Sequence, residues 1–256
     1  MQPKNSENHI QMNKQHWNAA AINDWAKKAE MRKQIRDGYP YLEKMESKLG
    51  PYLKDISGKK IIVLQFGDGL LLLACAKKGA IVTGVDISSE QVRLAKEAAV
   101  YCGVDVTLIE ADCQSLPKSI PNNYFDLAVA ECGIFIWIHD LNAWMRNAYR
   151  VLKSSGRLIV SDFHPLSIIT KEEKDGVVTF RKSYFDQRPE VCHSEENVPP
   201  SVELVWKLSD IINAAIDAGF RIDRVEEFYV EEKVGKIPLI PTDFLLVATK
   251  PKQTKR

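Results

Sequence analysis

Residues 61–86 read IIVLQFGDGLLLLACAKKGAIVTGVD. An apolar run, Ile61 to Leu64, meets a glycine turn at Gly67-Asp68-Gly69; a leucine-rich helical stretch follows, and a second apolar run ends in Asp86. The order is strand, glycine loop, helix, strand, acid. A loop nearly free of side chains lets the backbone approach a ligand closely, and a carboxylate at the end of the next strand can accept both hydrogen bonds of a ribose diol. The spacing from Gly67 to Asp86 is close to the roughly 20 positions that separate such a loop from its acid. A dinucleotide fits poorly, because Leu72 stands where its third glycine belongs and Asp68 sets a negative charge where a pyrophosphate has to sit. The segment predicts a site for a nucleoside that lacks phosphates.

Strand and helix signals alternate outward from this unit. Upstream, Trp17, Ala20, Ala21, Trp25 and Ala29 recur at spacings of three and four, which predicts a helix over residues 14–36, ended by Gly38 and Pro40. A second helical stretch, Tyr41 to Leu49, stops at Gly50-Pro51. Residues 1–55 are thus expected to form a helical cap or lid on an α/β domain over 56–256. Downstream, Ser88-x-x-Gln91 has the form of a capping box for a helix to about Cys102; Val104 to Glu110 and Tyr124 to Glu131 read as the third and fourth strands. His139-Asp140 opens a helix with Leu141, Trp144, Ala148 and Val151 on one face, and Ser154-Ser155-Gly156 turns into a fifth strand, Arg157 to Phe163. From His164 to about Trp206 the alternation stops. This insertion is expected to hold a hairpin pairing Val177–Phe180 with Lys182–Phe185 and to act as an ordered lid. Ser209 can cap a helix over Asp210 to Ala218, and Phe220 to Tyr229 and Leu239 to Ala248 read as the last two strands, joined through Gly235 and Pro238.

Composition bounds the function. In 256 residues, 45% hydrophobic and 27% charged, one large α/β domain with a substantial core is the simplest count. A net charge of +1 provides no general pull toward nucleic acid or an anionic membrane. The tail from Lys250 reads as a solvated end. Five cysteines, an odd number with no Cys-x-x-Cys pair, read as reduced thiols with neither a disulfide framework nor a zinc site. The polar N-terminus has no signal-peptide core, and no run approaches the roughly 18 apolar residues of a membrane span. Cytoplasmic location is the expectation.

This order of motifs resembles the class I S-adenosylmethionine-dependent methyltransferases, especially the small-molecule group called type 11. Val63-Leu64-Gln65-Phe66-Gly67-Asp68-Gly69-Leu70-Leu71 occupies the places of that family's Val-Leu-Asp-x-Gly-x-Gly-x-Gly; Gly84 to Ser88 matches its ribose-binding segment, and Ala111-Asp112 with Ser115-Leu116-Pro117 its adenine-binding one. Phe125-Asp126 through Glu131, then Tyr149 to Lys153 and Gly156, resemble its fourth strand and the helix leading to its fifth. Two positions depart from the pattern: Gln65 stands for the usual acid and Leu71 for the third glycine. The resemblance implies a Rossmann-like, seven-stranded, mostly parallel α/β sheet with an antiparallel last strand and helices on both faces. It implies S-adenosyl-L-methionine as cofactor, held by Gln65, Gly67, Gly69, Asp86, Ile87, Asp112, Cys113 and Glu131. Asp86 and Asp112 could alternatively be loop-opening acids that satisfy backbone N–H groups.

Methyl transfer from a sulfonium is an in-line displacement, so the protein mainly aligns the acceptor and removes a proton. Candidate bases are Glu131, His139 and His164, near the ends of the fourth and fifth strands; Trp17, Trp25, Trp137 and Tyr184 are candidates for an acceptor pocket. The Asn/Asp-Pro-Pro-Tyr/Phe motif of many N-methylating enzymes is absent, Glu131-Cys132-Gly133-Ile134 standing in its place. A small organic metabolite is the expected acceptor. Two rival readings stay open: a methyltransferase fold that binds its nucleoside as a scaffold or rearrangement catalyst, and an NAD-dependent oxidoreductase, whose Tyr-x-x-x-Lys pair Tyr149 and Lys153 imitate within an ordinary helix.

Overall fold

The computed structural model describes residues 3–45, 47–193, 197–230 and 237–252. Three helices open the chain: α1 (Pro3–Lys27), α2 (Ala29–Arg36) and α3 (Tyr41–Lys44). The α/β unit then runs β1 (Lys60–Leu64), α4 (Leu70–Lys77), β2 (Ile81–Asp86), α5 (Ser89–Cys102), β3 (Val106–Glu110), β4 (Phe125–Glu131), α6 (Leu141–Val151) and β5 (Leu152–Phe163). A short helix, α7 (Pro165–Ile169), leads into β6 (Thr170–Lys174), β7 (Val177–Phe180), β8 (Glu190–Cys192) and β9 (Ser201–Glu203). Helix α8 (Leu208–Asp217) and strands β10 (Arg221–Phe228) and β11 (Asp243–Thr249) complete the fold.

Seven strands form one sheet in the order β10-β11-β5-β4-β1-β2-β3. β1 pairs in parallel with both β2 and β4, and β11 runs antiparallel between β5 and β10. The strand order reverses between β1 and β4, so a crevice opens beyond their C-terminal ends, where open α/β sheets take ligands. Each central strand is apolar on both sides. Ile61, Val63, Val129 and Ile159 pack beneath α2, α4 and α5, while Ile62, Leu64, Ala128 and Val160 pack against α6 and α8. That two-sided burial explains continuous apolar runs in place of alternation.

Local signals behave as their chemistry requires in several places. The Ser88 hydroxyl accepts from the N–H of Gln91, and Gly103 closes α5 in the left-handed region at φ 65°. Asp140 caps α6 by accepting from Ala143. Elsewhere tertiary contacts override them. The hairpin pairs β6 with β7 across Asp175-Gly176, and Lys182–Phe185 is not a strand. Both turn residues have positive φ, as such a tight connection demands. Helix α8 starts two residues earlier than Ser209 predicts, because the Asp210 carboxylate reaches back to the N–H of Lys207. Lys250 is no frayed end: it is 4% exposed, and its ammonium donates to Asn123 Oδ1 and to the carbonyls of Tyr149 and Leu152. Gly235 lies outside the described residues.

Helix α1 crosses the mouth of the crevice. It lacks a strong apolar stripe, and side-chain hydrogen bonds hold it together with the buried Ala20, Ala21 and Trp25. The Asn13 amide donates to the carbonyl of Val202 and accepts from its N–H, and Asn18 Oδ1 accepts from the Ser88 hydroxyl. His16 Nδ1 lies 2.7 Å from the carbonyl of Pro199. The insertion thus reaches the N-terminal helix directly.

Candidate functional site

Two adjoining cavities occupy the crevice. The smaller, about 210 Å³, is walled by Gly67, Asp86, Ile87, Asp112, Cys113, Gln114, Gly133, Trp137 and Ile138, with Ile10 and Trp17 of α1 above. The larger, about 640 Å³, runs from the glycine loop under residues 24–47 to Glu131, Ser161 and Asp243. Trp17, Gln65, Gly67, Gln91 and Cys132 border both.

Asp86 is the polar centre of the smaller cavity. β2 ends at this residue, so its side chain leaves the sheet at the crevice. Its Oδ2 accepts from the N–H of Gly67 at 3.1 Å and its Oδ1 from that of Ser88 at 3.0 Å. Burial pushes its pKa up to about 6 against these donors. With the N–H of Ile87 also directed at it, three N–H groups leave part of the carboxylate's roughly four acceptor sites for a diol. Asp112, at the opposite wall, accepts from the backbone N–H and side-chain amide of Gln114, whose own Oε1 accepts from the N–H groups of His139 and Asp140. Gln114 is a wall residue the sequence reading missed; a lone Gln in a loop carries no signal of such a bridging role.

Three of the expected residues do other work. Gln65 borders both cavities in the left-handed region at φ 53°, but its amide is taken: Oε1 accepts from the Trp144 indole at 2.8 Å and Nε2 donates to the carbonyl of Ile134 at 3.2 Å. Gly69 lines neither cavity. A Cβ there would lie 2.7 Å from the Trp25 ring, so this glycine clears space for the indole, which hydrogen-bonds Gln91, and Trp25 is spent on docking the N-terminal helices. Gly69→Ala should lower unfolding stability by about 2–4 kcal/mol, the sum of a left-handed backbone penalty and overpacking. Its φ is 75°. A urea midpoint unchanged from the parent would remove the docking role.

The histidines and Tyr184 also stand apart from both cavities. His164 caps α7 by accepting from Leu166, and its Nε2 lies 2.8 Å from Glu227. Burial nevertheless holds its pKa down, opposed by Glu227 and Asp243. His139 sits behind the wall with its pKa pushed down to about 4, by burial first and His9 second. The Tyr184 hydroxyl accepts from the N–H of Leu208 at the start of α8. Glu131, by contrast, borders the larger cavity and accepts from the Ser47 hydroxyl at 2.8 Å.

The loop between β4 and α6 has its own anchor, Asp162, which the sequence reading passed over. This carboxylate is 2% exposed and accepts from the N–H groups of Gly133 (2.6 Å), Ile134 (3.0 Å), Phe135 (2.9 Å) and Phe163 (2.9 Å). Cys132 and Gly133 both have positive φ, which turns the successive N–H groups inward. The loop so held carries Cys132, Gly133, Ile136 and Trp137 into the cavity walls. Among the described residues no group of three or more His, Cys, Asp or Glu could hold a metal ion, and no helix is long and apolar enough to cross a membrane.

Comparison with known proteins agrees with this fold. Residues 63–160 match the family described as a methyltransferase domain. The chain is 34% identical over 109 residues to demethylmenaquinone methyltransferase of Thermus thermophilus, covering 42% of this chain and 48% of that protein. It is 27% identical over 106 residues to ubiquinone biosynthesis O-methyltransferase of Pseudomonas entomophila, covering 41% and 45%. The chain thus spans about half the length of these curated relatives. An S-adenosylmethionine-dependent methyltransferase from Mesorhizobium loti shares the fold at a TM-score of 0.64 and 23% identity, over 81% of this chain and 99% of that one. Residues 63–160 thus match a methyltransferase domain, in a chain that has the fold of S-adenosylmethionine-dependent methyltransferases.

Proposed function

We propose that the chain transfers a methyl group from S-adenosyl-L-methionine to a small organic metabolite held in the larger cavity. The observation that carries this reading is Asp86, buried at the head of the smaller cavity, hydrogen-bonded to the glycine loop and still able to accept a diol. Bound there, S-adenosylmethionine supplies a methyl carbon activated by its sulfonium for in-line displacement. Asp86 would accept from the ribose hydroxyls and Asp112 from the adenine amino group, with Ile87, Cys113, Trp137 and Ile138 as walls for the purine. Gly67 and Cys132, at the junction, border the place where donor and acceptor would meet.

Glu131 is the base this reading favours. Its carboxylate reaches the larger cavity, so it could take the proton of an acceptor hydroxyl or ammonium, while His139 and His164 stand outside reach. Trp17 and α1 close the crevice and would exclude water from the reacting groups. Two supports favour a small acceptor: a net charge of +1, which offers no field for nucleic acid, and the names of the two curated relatives, which are those of quinone-pathway enzymes. The reduced cysteines fit a cytoplasmic setting.

Calorimetric titration with S-adenosylmethionine, S-adenosylhomocysteine and NADH tests the cofactor assignment. Both sulfur nucleosides should bind and NADH should not; binding of NADH alone would sink the reading. Labelled-methyl transfer to metabolite pools then separates transfer from the scaffold reading, which the occupied amide of Gln65 favours. A protein that binds S-adenosylhomocysteine yet labels no metabolite would support the scaffold.

A further inference from the structure

A half-buried imidazole, His9, meets a buried one, His139, where α1 crosses the loop leading into α6. The ring centroids of His9 and His139 lie 5.2 Å apart with the planes at 39°. Nδ1 of His9 and both ring nitrogens of His139 are buried without a hydrogen-bond partner. Buried polar atoms are nearly always paired, since an orphan loses its water and gains nothing in return. Three orphans at one contact ask for a reason beyond packing. The next residues along the two elements, Ile10 and Ile138, both line the smaller cavity, so this contact closes the seam between the N-terminal helix and the cavity wall.

We propose that His9 and His139 form an acid-sensitive clasp, which holds α1 over the smaller cavity while the His139 ring is neutral and releases it when that ring takes a proton. Neutral rings pack against each other at little electrostatic cost. An imidazolium in the same place has no carboxylate to meet. The titratable and charged groups on the elements around His139 include Glu7, His9, Lys14 and His16 on α1, Asp112 beyond β3, Asp140 on its own loop, and Glu203 and Lys207 on the returning segment. Of these only His9 acts on the ring, and it adds to burial in disfavouring the proton.

The sign follows from linkage. The docked ring of His139 is held down to about 4, whereas a released histidine titrates near 6.5. Docking is therefore fully stabilised above pH 6.5 and weakens as pH falls toward 4, by about tenfold between pH 7.5 and pH 5.5. Of the other holds on α1, Asn13, Asn18 and Trp25 carry no titratable group, a neutral or a protonated His16 can equally donate to Pro199, and the remaining one is the Lys14–Glu110 ion pair at the surface.

Hydrogen exchange on the full chain without cofactor tests the clasp, with rates corrected for the intrinsic effect of pH. Between pH 7.5 and pH 5.5, wild-type amides over residues 9–25 should lose about tenfold protection relative to β1 and β4. A His9→Phe, His139→Phe double variant should keep its protection at both pH values. His139→Leu, a smaller apolar side chain, should do the same and guards against a packing fault in the double variant. An equal acid response in wild type and variants would overturn the proposal; so would variants that lose α1 protection at both pH values, because the rings would then be needed for docking itself. That release of α1 would uncover a bound nucleoside rests on the reading of the smaller cavity given above. Its failure shows separately, as absent S-adenosylhomocysteine binding at pH 7.5 with the exchange result intact.

Discussion

Asp86→Ala should weaken S-adenosylhomocysteine binding by about 1.5–3 kcal/mol, the range for losing charge-assisted hydrogen bonds from a diol. The folded wild-type carboxyl titrates at about 6, raised by burial, and only its ionised form accepts both hydroxyls well. Ligand binding therefore favours the deprotonated state. Affinity should be full above pH 7 and fall as pH drops through 6, by about tenfold at pH 5. Folding stability has the opposite sign. A carboxyl raised in the folded state contributes stability below pH 4 and loses it as pH rises through 6, so the apoprotein carries the cost of a charged Asp86 at neutral pH. Calorimetry from pH 5 to pH 8 on wild type and variant checks both points. The part of the pH dependence that disappears with Asp86→Ala belongs to Asp86, and any remainder belongs to the histidine contact. An unchanged dissociation constant in a cooperatively folded variant would remove the ribose assignment.

Asp162→Ala should be the most damaging single change to the site's framework, at about 4 kcal/mol. Four backbone N–H groups converge on this carboxylate, and three belong to consecutive residues of the loop that walls the smaller cavity. Removing the acceptor leaves these donors facing a buried space. Asp162→Asn should cost less, since its amide oxygen still accepts while its NH2 group opposes one donor. Denaturant midpoints give the stability order, and S-adenosylhomocysteine affinity reports whether the loop keeps its place. If Asp162→Ala binds the nucleoside as tightly as wild type, the loop is fixed by its packing and Asp162 is only a buried acid.

The same two residues show how far the sequence could be read. The place of Asp86 at the crevice was legible because it needs only two local facts, a strand that ends there and a glycine loop at a fixed distance before it. Asp162 was not. Its partners lie 27–29 positions away, except for Phe163, and nothing in Ser161-Asp162-Phe163 separates a loop anchor from an acid at a strand end. Trp25 shows a milder failure. Helical spacing placed it correctly on a buried face, but only the docked arrangement reveals that it covers Gly69 and lines no cavity.

The sequence by itself determined the α/β class, the run of parallel strands, the glycine loop with its acid and the addition of an N-terminal helical segment. These depend on period, on backbone freedom and on short spacings, all properties of neighbours along the chain. Tertiary structure alone decided which polar side chains meet: that Gln65 is consumed by Trp144 and Ile134, that Glu131 reaches a cavity while His139 and His164 do not, and that α1 is held by Asn13, His16 and Asn18. A hydrogen bond between distant residues depends on angles and distances accumulated over the whole fold, and a fraction of an ångström separates a wall residue from one behind it. No local pattern carries that information.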